Sequence, residues 1–411
     1  MRPEPAAVLS LLSAAAVRER AHRLLARGLD GGLDHFRVDP GKLDDAADLT
    51  IAITRAAYPA LDVPFHSRWR HFVAGGEDRW DRIQRAHDWR DASDRARAEF
   101  DLAIVSVLLD AGAGPDWSYL DPTSGARVGR SEGLALASLD MFTAGAFSSE
   151  PRRPLRADAA ALQQMSSESL CRHFQVDAGN PLLGVEGRVA LLRRLGATVA
   201  AAPGIFAGTD TPRPGGLLDR LTASAGNRSI AAPAVLSEVL RHLGPVWPSR
   251  LELAGVPLGD CWRHPALTTD GATSGLMPLH KLSQWLTYSL LEPLQTAGLA
   301  VTDVDGLTGL AEYRNGGLLI DTGVLAFRDP ADARRAHEVG STLVVEWRAL
   351  TVALLDRIAD IVRQRLSMNA EALPLAKVLQ GGTWAAGRHI ARKLRPDGSP
   401  PLTVVSDGTV F

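Results

Sequence analysis

Helical periodicity dominates the pattern of apolar and polar positions. Leu9, Leu12, Ala16 and Val17 open an amphipathic repeat that reaches Ala26, with Gly28 beyond it as a stop signal. Arg95 to Leu109 carries Phe100, Ile104, Val107 and Leu108 on one stripe. Gly133 to Phe142, opened by Ser131, predicts another helix, and Val185 to Leu195 closes at Gly196. Pro278 to Leu291 and Glu338 to Leu366 are the strongest helical patterns of the second half. Strand patterns are few and short: Arg250 to Leu253, Glu312 to Leu325 and Leu402 to Phe411, the last two with Asn-Gly or Asp-Gly turn chemistry. There is no β-α-β alternation and no internal repeat. Glu150 to Arg156, rich in proline and arginine, is the one linker-like stretch. These patterns predict a mainly α fold with a small accessory antiparallel sheet. Residues 1–411 form one compact unit, with an internal lobe boundary near 150–157 as the alternative.

Composition narrows the function. The chain has 411 residues with 45 basic and 47 acidic side chains, a formal charge of −2, so no cationic excess supports general binding to nucleic acid. Hydrophobic residues make up 45% and charged residues 22%, which excludes wholesale disorder. Only two cysteines, Cys171 and Cys261, argue for a reducing cytoplasm, and no apolar run is long enough for a membrane span. Ala6 to Val17 has some character of a signal-peptide core, but Glu4, the interrupting serines and the helical continuation through Arg18, Glu19 and Arg20 oppose that reading. Nucleophile elbows, phosphate-binding glycine loops and His-Glu-x-x-His motifs are missing. His66 and His71 lack a carboxylate or cysteine at ligand spacing, so no metal site is expected. The chemistry falls to carboxylates, amides and arginines, with no metal or redox cofactor. Lysines are few (Lys42, Lys281, Lys377, Lys393) in an arginine-rich background, which draws notice to each.

Three constellations rise above this background. In Ala311-Glu312-Tyr313-Arg314-Asn315-Gly316-Gly317-Leu318-Leu319-Ile320-Asp321, either Asn315-Gly316 or Gly316-Gly317 suits a two-residue hairpin turn. Both choices bring Glu312, Arg314 and Asp321 to one face, with the acids about 5–7 Å apart and Tyr313 on the other side. Two carboxylates and a guanidinium can orient a water and stabilise positive charge at a sugar carbon. An ordinary solvent-facing hairpin uses the same residues. In the helix after Pro278, Leu279, Leu282, Leu286 and Leu290 form a core stripe, while Lys281, Gln284, Trp285 and Tyr288, with His280 at the flank, suggest a second face lining a pocket or plain two-sided core packing. Gly381-Gly382-Thr383-Trp384 reads as a turn with Thr383 capping a helix that carries Arg388 and Arg392, a phosphate-holding arrangement or simply a structural cap. The loop with Trp262 and Arg263 mixes a flat aromatic with polar side chains in the same manner, as a binding loop or a packed turn.

The segment from His280 to Leu290, the stretch from Glu312 to Asp321 and the glycine-tryptophan segment near the C-terminus resemble the uracil catabolism protein 4 family, whose fungal members are also called uracil-regulated protein 3. The resemblance extends to Tyr119-Leu120-Asp121-Pro122 and Gly184-Val185-Glu186-Gly187-Arg188. It implies a place in uracil catabolism beside a cyclohydrolase-like ring-opening enzyme, as a pathway partner. A shorter similarity, Leu307-Thr308 followed by Ala311-Glu312-Tyr313-Arg314, looks like a segment of the queuosine salvage nucleotide N-glycosidases, with Glu in place of their Asp. It implies a DNA-glycosylase-like helical fold and N-glycosidic cleavage.

Together these lead to the expectation of a hydrolase that cleaves ribosylurea 5-phosphate, a ring-opened uridine nucleotide, to urea and ribose 5-phosphate. Glu312 is expected to stabilise the oxocarbenium-like transition state or activate water, with Asp321 as second acid. Lys281, Arg314, Arg388 and Arg392 are candidates for phosphate or sugar contacts. Trp262, Trp285, Tyr288 and Trp384 would enclose the substrate with His280, Tyr313 and Arg263 nearby, and Gln284 and Asn315 would bond the ureido group. The alternatives are an amidohydrolase-like step on the ureido group and a non-catalytic scaffold for the ring-opening enzyme.

Overall fold

The amphipathic stretches fold as helices with shifted ends in a computed structural model that describes residues 5–207, 211–248 and 251–405. The helices that frame the site are α1 (Ala14–Leu29), α2 (Leu43–Ala57), α3 (Ala92–Leu108), α4 (Arg130–Thr143), α5 (Val185–Ala201), α6 (Lys281–Thr296), α7 (Tyr313–Asp321), α8 (Thr342–Leu366) and α9 (Trp384–Leu394). Ser13 caps α1 through the amide of Ala16, so the first periodic stretch breaks into a short helix, Pro5–Ser10, and α1. Neither Gly28 nor Gly196 stops its helix. Gly28 lies inside α1, whose end is marked instead by Gly31 at φ 75°. Gly196 lies inside α5, where a methyl would strike the backbone of Ala159 and Gln163, so it serves close packing.

The strands associate only as two-stranded ladders among the described residues. Most are antiparallel, such as Phe36–Val38 against Leu325–Phe327 with Phe36 opposite Phe327, and two pairs are parallel. The fold is mainly α. The Arg250 to Leu253 pattern is realised as Glu252–Leu253, with Arg250 outside the described residues. The Leu402 to Phe411 pattern is realised as Thr403–Val405, and residues 406–411 lie outside the described residues.

The Glu312 to Leu325 hairpin does not form. Residues 313–321 are helix α7, with Asn315, Gly316 and Gly317 inside it. A side chain at Gly316 would overlap the indole of Trp347, whose Nε1 donates to the Gly316 carbonyl at 3.1 Å. The glycines therefore permit α8 to approach α7 and are not turn residues. The Gly-Gly turn before Trp384 is likewise absent. Leu379–Thr383 is a π-helical turn running directly into α9, and Thr383 makes no side-chain cap. Gly381 and Gly382 lie against Thr50 and Thr54 of α2, where a methyl at Gly382 would overlap Thr50.

One apolar cluster includes buried side chains from Ala14 to Val404. Within it α3 packs against α6, α7 against α9, and α1 and α2 against α8. The 150–157 stretch is tied inward: Ala157 is buried and its amide donates to Asp101 Oδ2 at 3.0 Å. No helix among the described residues is long and apolar enough to cross a membrane.

Candidate active site

Two adjoining cavities open where the first turns of α4, α6, α7 and α9 meet the end of α3. The inner chamber, about 220 Å³, is walled by His66, His71, Asp110, the Ala111–Gly114 loop, Lys281, Trp285 and Leu310. The outer chamber, about 310 Å³, adds Glu132, Arg314, Arg388 and Pro400. Arg130, Ser131, Glu312, Tyr313 and Trp384 border both.

Glu312 is the N-cap of α7. Its Oε2 accepts the amide of Arg314 at 2.7 Å and its Oε1 that of Asn315 at 2.6 Å. Glutamate is not a favoured capping residue, because its longer side chain must fold back to reach these amides. Here the fold-back fixes a carboxylate at the chamber wall. Burial pushes its pKa up; the two amides, Lys281 and Arg314 act against that without overcoming it.

Lys281 opens α6, where Asp260 accepts its amide at 3.0 Å. Asp260 is itself clamped by Arg348 with two contacts of 2.8 Å, which help hold it ionised. The Lys281 ammonium has no hydrogen bond or ion pair among the described residues. Burial lowers its pKa, with Glu312 and then Asp110 the main opposing charges.

The aromatic wall is built from Trp285, Trp384 and two histidines. His66 lies 4.6 Å from Trp285 between ring centroids, and His71 5.7 Å. The π-helical turn supplies Gln380, whose Oε1 lies 2.9 Å from His66 Nδ1. Burial lowers the pKa of His66 to about 3, and burial with the Arg68 charge lowers that of His71 to about 4, so both rings are neutral at pH 7. Asp110 is held by Arg68 at 3.0 Å and by the Ser131 hydroxyl. At the outer rim Arg388 pairs with Glu132 at 2.8 Å and lies over the Trp384 ring, while Arg314 donates to the Gly398 carbonyl at 3.0 Å. Three guanidiniums, Arg130, Arg314 and Arg388, thus face two acids there, Glu132 and Glu312. A family model described as protein of unknown function (DUF1688) matches residues 10–411.

The chain belongs to this family. Over 414 residues the DUF1688 chain is 39% identical to the protein urg3 of Schizosaccharomyces pombe, across 98% of this chain and 99% of that one. Over 416 residues it is 36% identical to the uracil catabolism protein 4 of Lachancea kluyveri, across 93% of each.

Of the residues singled out in the sequence, the DUF1688 fold brings Glu312, Lys281, Trp285, Tyr313, Arg314, Trp384 and Arg388 to the chambers. Tyr313 borders them beside Glu312 instead of pointing away, because the segment is helical. Asp321 is excluded: it ends α7, while Glu312 precedes its first residue, and it pairs with Arg395 at 2.5 Å. Gln284 and Tyr288 face the core, where both bond Thr308. His280 is buried against the Leu11 carbonyl at 3.0 Å, and Asn315 is buried with its amide on the Leu310 carbonyl at 3.1 Å. Trp262 donates to Asp260 at 2.6 Å, away from both chambers. Arg263 and Arg392 are exposed and border neither.

Sequence reasoning missed His66, His71, Asp110, Arg130, Ser131 and Glu132 as chamber residues. Asp110 did carry a signal, since it ends an apolar helical stripe just before a glycine-rich loop. His66 and His71 were visible as a pair, but only a metal role was weighed for them.

Proposed function

We propose that this chain acts in uracil catabolism by hydrolysing the N-glycosidic bond of a ring-opened uridine nucleotide, ribosylurea 5-phosphate, to urea and ribose 5-phosphate. The pathway is supported by the name of the Lachancea kluyveri relative. The bond is supported by one observation above others: among the residues lining the chambers, Glu312 is the acid that borders both, held rigid by two backbone amides. Breaking a bond from nitrogen to an anomeric carbon builds positive charge on that carbon. A carboxylate fixed beside it stabilises the transition state more than the ground state.

The remaining groups match the ends of such a substrate. Arg130, Arg314 and Arg388 at the outer rim suit the 5-phosphate. Trp285, Trp384 and the neutral rings of His66 and His71 form an aromatic inner wall for an uncharged ureido group and sugar. A water activated by Glu312 supplies the hydroxyl that ends on the sugar.

Incubating the purified chain with ribosylurea 5-phosphate and measuring urea, ammonia and reducing sugar tests the reading. Urea and reducing sugar in equal amounts are expected. Ammonia in their place would mark attack on the ureido group, and absence of all three would leave a non-catalytic partner of the ring-opening enzyme.

A further inference from the structure

A solitary amine in the inner chamber has no structural work to do. Lys281 borders a cavity in which the neighbouring acids and one histidine are already held: Asp110 by Arg68 and Ser131, His66 by Gln380, and Glu312 by two amides. Its ammonium has no partner among the described residues, and both Glu312 and Asp110 act on its charge. Arg314 and Arg388 line only the outer chamber and Arg130 borders both, so the guanidiniums can hold an anion there without Lys281. The first turn of α6, the positive end of its dipole, disfavours a further positive charge there. A lysine kept partly desolvated beside a carboxylate is equipped to act as a neutral amine nucleophile.

We propose that Lys281 is the nucleophile of the glycosidic cleavage and carries the pentose as a transient imine. This rests on the glycosidic reading above and specifies how it is carried out. Nζ, as the free amine, attacks C1 of the ribosyl unit. The C1–N bond breaks, its electron pair leaves with the urea nitrogen, and that nitrogen takes one proton from the attacking amine through Glu312. The C1–O4 bond then opens, O4 takes the second Nζ proton, and the sugar is held as an imine. Water adds across the imine, releasing the aldehyde of ribose 5-phosphate and restoring the amine. Substrate and one water give urea and ribose 5-phosphate, with no oxidant or reductant consumed.

Borohydride added to the full chain during turnover tests this. The expected result is a reduced pentose phosphate attached at Lys281 in peptide mapping, formed faster from ribosylurea 5-phosphate than from an equal concentration of ribose 5-phosphate. Equal labelling by the two would mean ordinary glycation and would overturn the proposal. Urea release with no adduct would also overturn it while leaving the hydrolase reading intact; no urea release would remove both. Lys281→Arg keeps the charge but not the nucleophile, so a loss on the order of 10³-fold or more in turnover is expected with substrate binding retained. Recovery of most activity by arginine would reduce Lys281 to an electrostatic contact. Should that variant misfold, trapping on the parent chain decides alone.

Discussion

Glu312 does two jobs with one carboxylate: it caps α7 and faces both chambers. Glu312→Gln is expected to leave the fold intact and lower turnover by about 10²–10⁴-fold, read by urea release against an unchanged circular dichroism spectrum. A near-parental rate would take Glu312 out of the mechanism. The raised pKa of this acid also has a sign in stability. A carboxyl whose folded pKa lies above its unfolded value binds protons more readily in the folded chain. Its ionisation therefore costs stability as pH rises through the interval between the two values. The melting temperature of Glu312→Gln relative to the parent should climb as pH is raised from 4 towards 8; a flat difference would contradict the burial effect. Glu312 itself was legible in the sequence, through its motif and the chemistry it offers. Its presumed partner was not, because the choice of Asp321 depended on a hairpin parity that a helix abolishes.

At the level of elements, glycine was the ambiguous letter. Asn-Gly-Gly permits a tight turn, and it equally permits two helices to touch; only the partner decides. For Gly316 the partner is Trp347, and for Gly387 it is the Arg314 carbonyl, into which a methyl would run. The positions of long helices were readable from their apolar stripes, but ends and crossings were not, since these depend on side chains far away in sequence. Gly387→Ala should push α9 from α7, cost about 1–3 kcal/mol by overpacking, and weaken substrate binding by displacing Arg388 from Arg314. Denaturant melts together with KM check both effects. Asp321→Asn provides the contrast. It breaks the ion pair to Arg395 that ties α7 to the segment after α9, and should cost about 1–3 kcal/mol while turnover stays near the parental rate. A large loss of turnover at equal stability would return Asp321 to the site.

For the molecule as a whole, α4, α6 and α7 start at the chambers and direct the positive ends of their dipoles at the site. An anionic ligand gains from all of them at once, beyond what the rim guanidiniums supply. The same enclosure keeps His66 and His71 neutral, and this sets a pH response. Their folded pKa values, about 3 and about 4, lie below that of a histidine in the unfolded chain, about 6.5. Between those values the unfolded state binds more protons, so their contribution to stability is present above about pH 6.5 and is lost as the medium is acidified towards pH 4. Melting temperatures measured from pH 7 to pH 4.5 should fall, and His66→Phe should flatten the fall whatever it does at pH 7. An unchanged slope would mean that the histidine is not held neutral. The chambers draw their walls from residues 66 to 400, and Trp384 closes both. A chain growing on the ribosome therefore carries Glu312 and Lys281 for some time before either is enclosed, and no competent pocket exists until the segment bearing Trp384 has been made and docked.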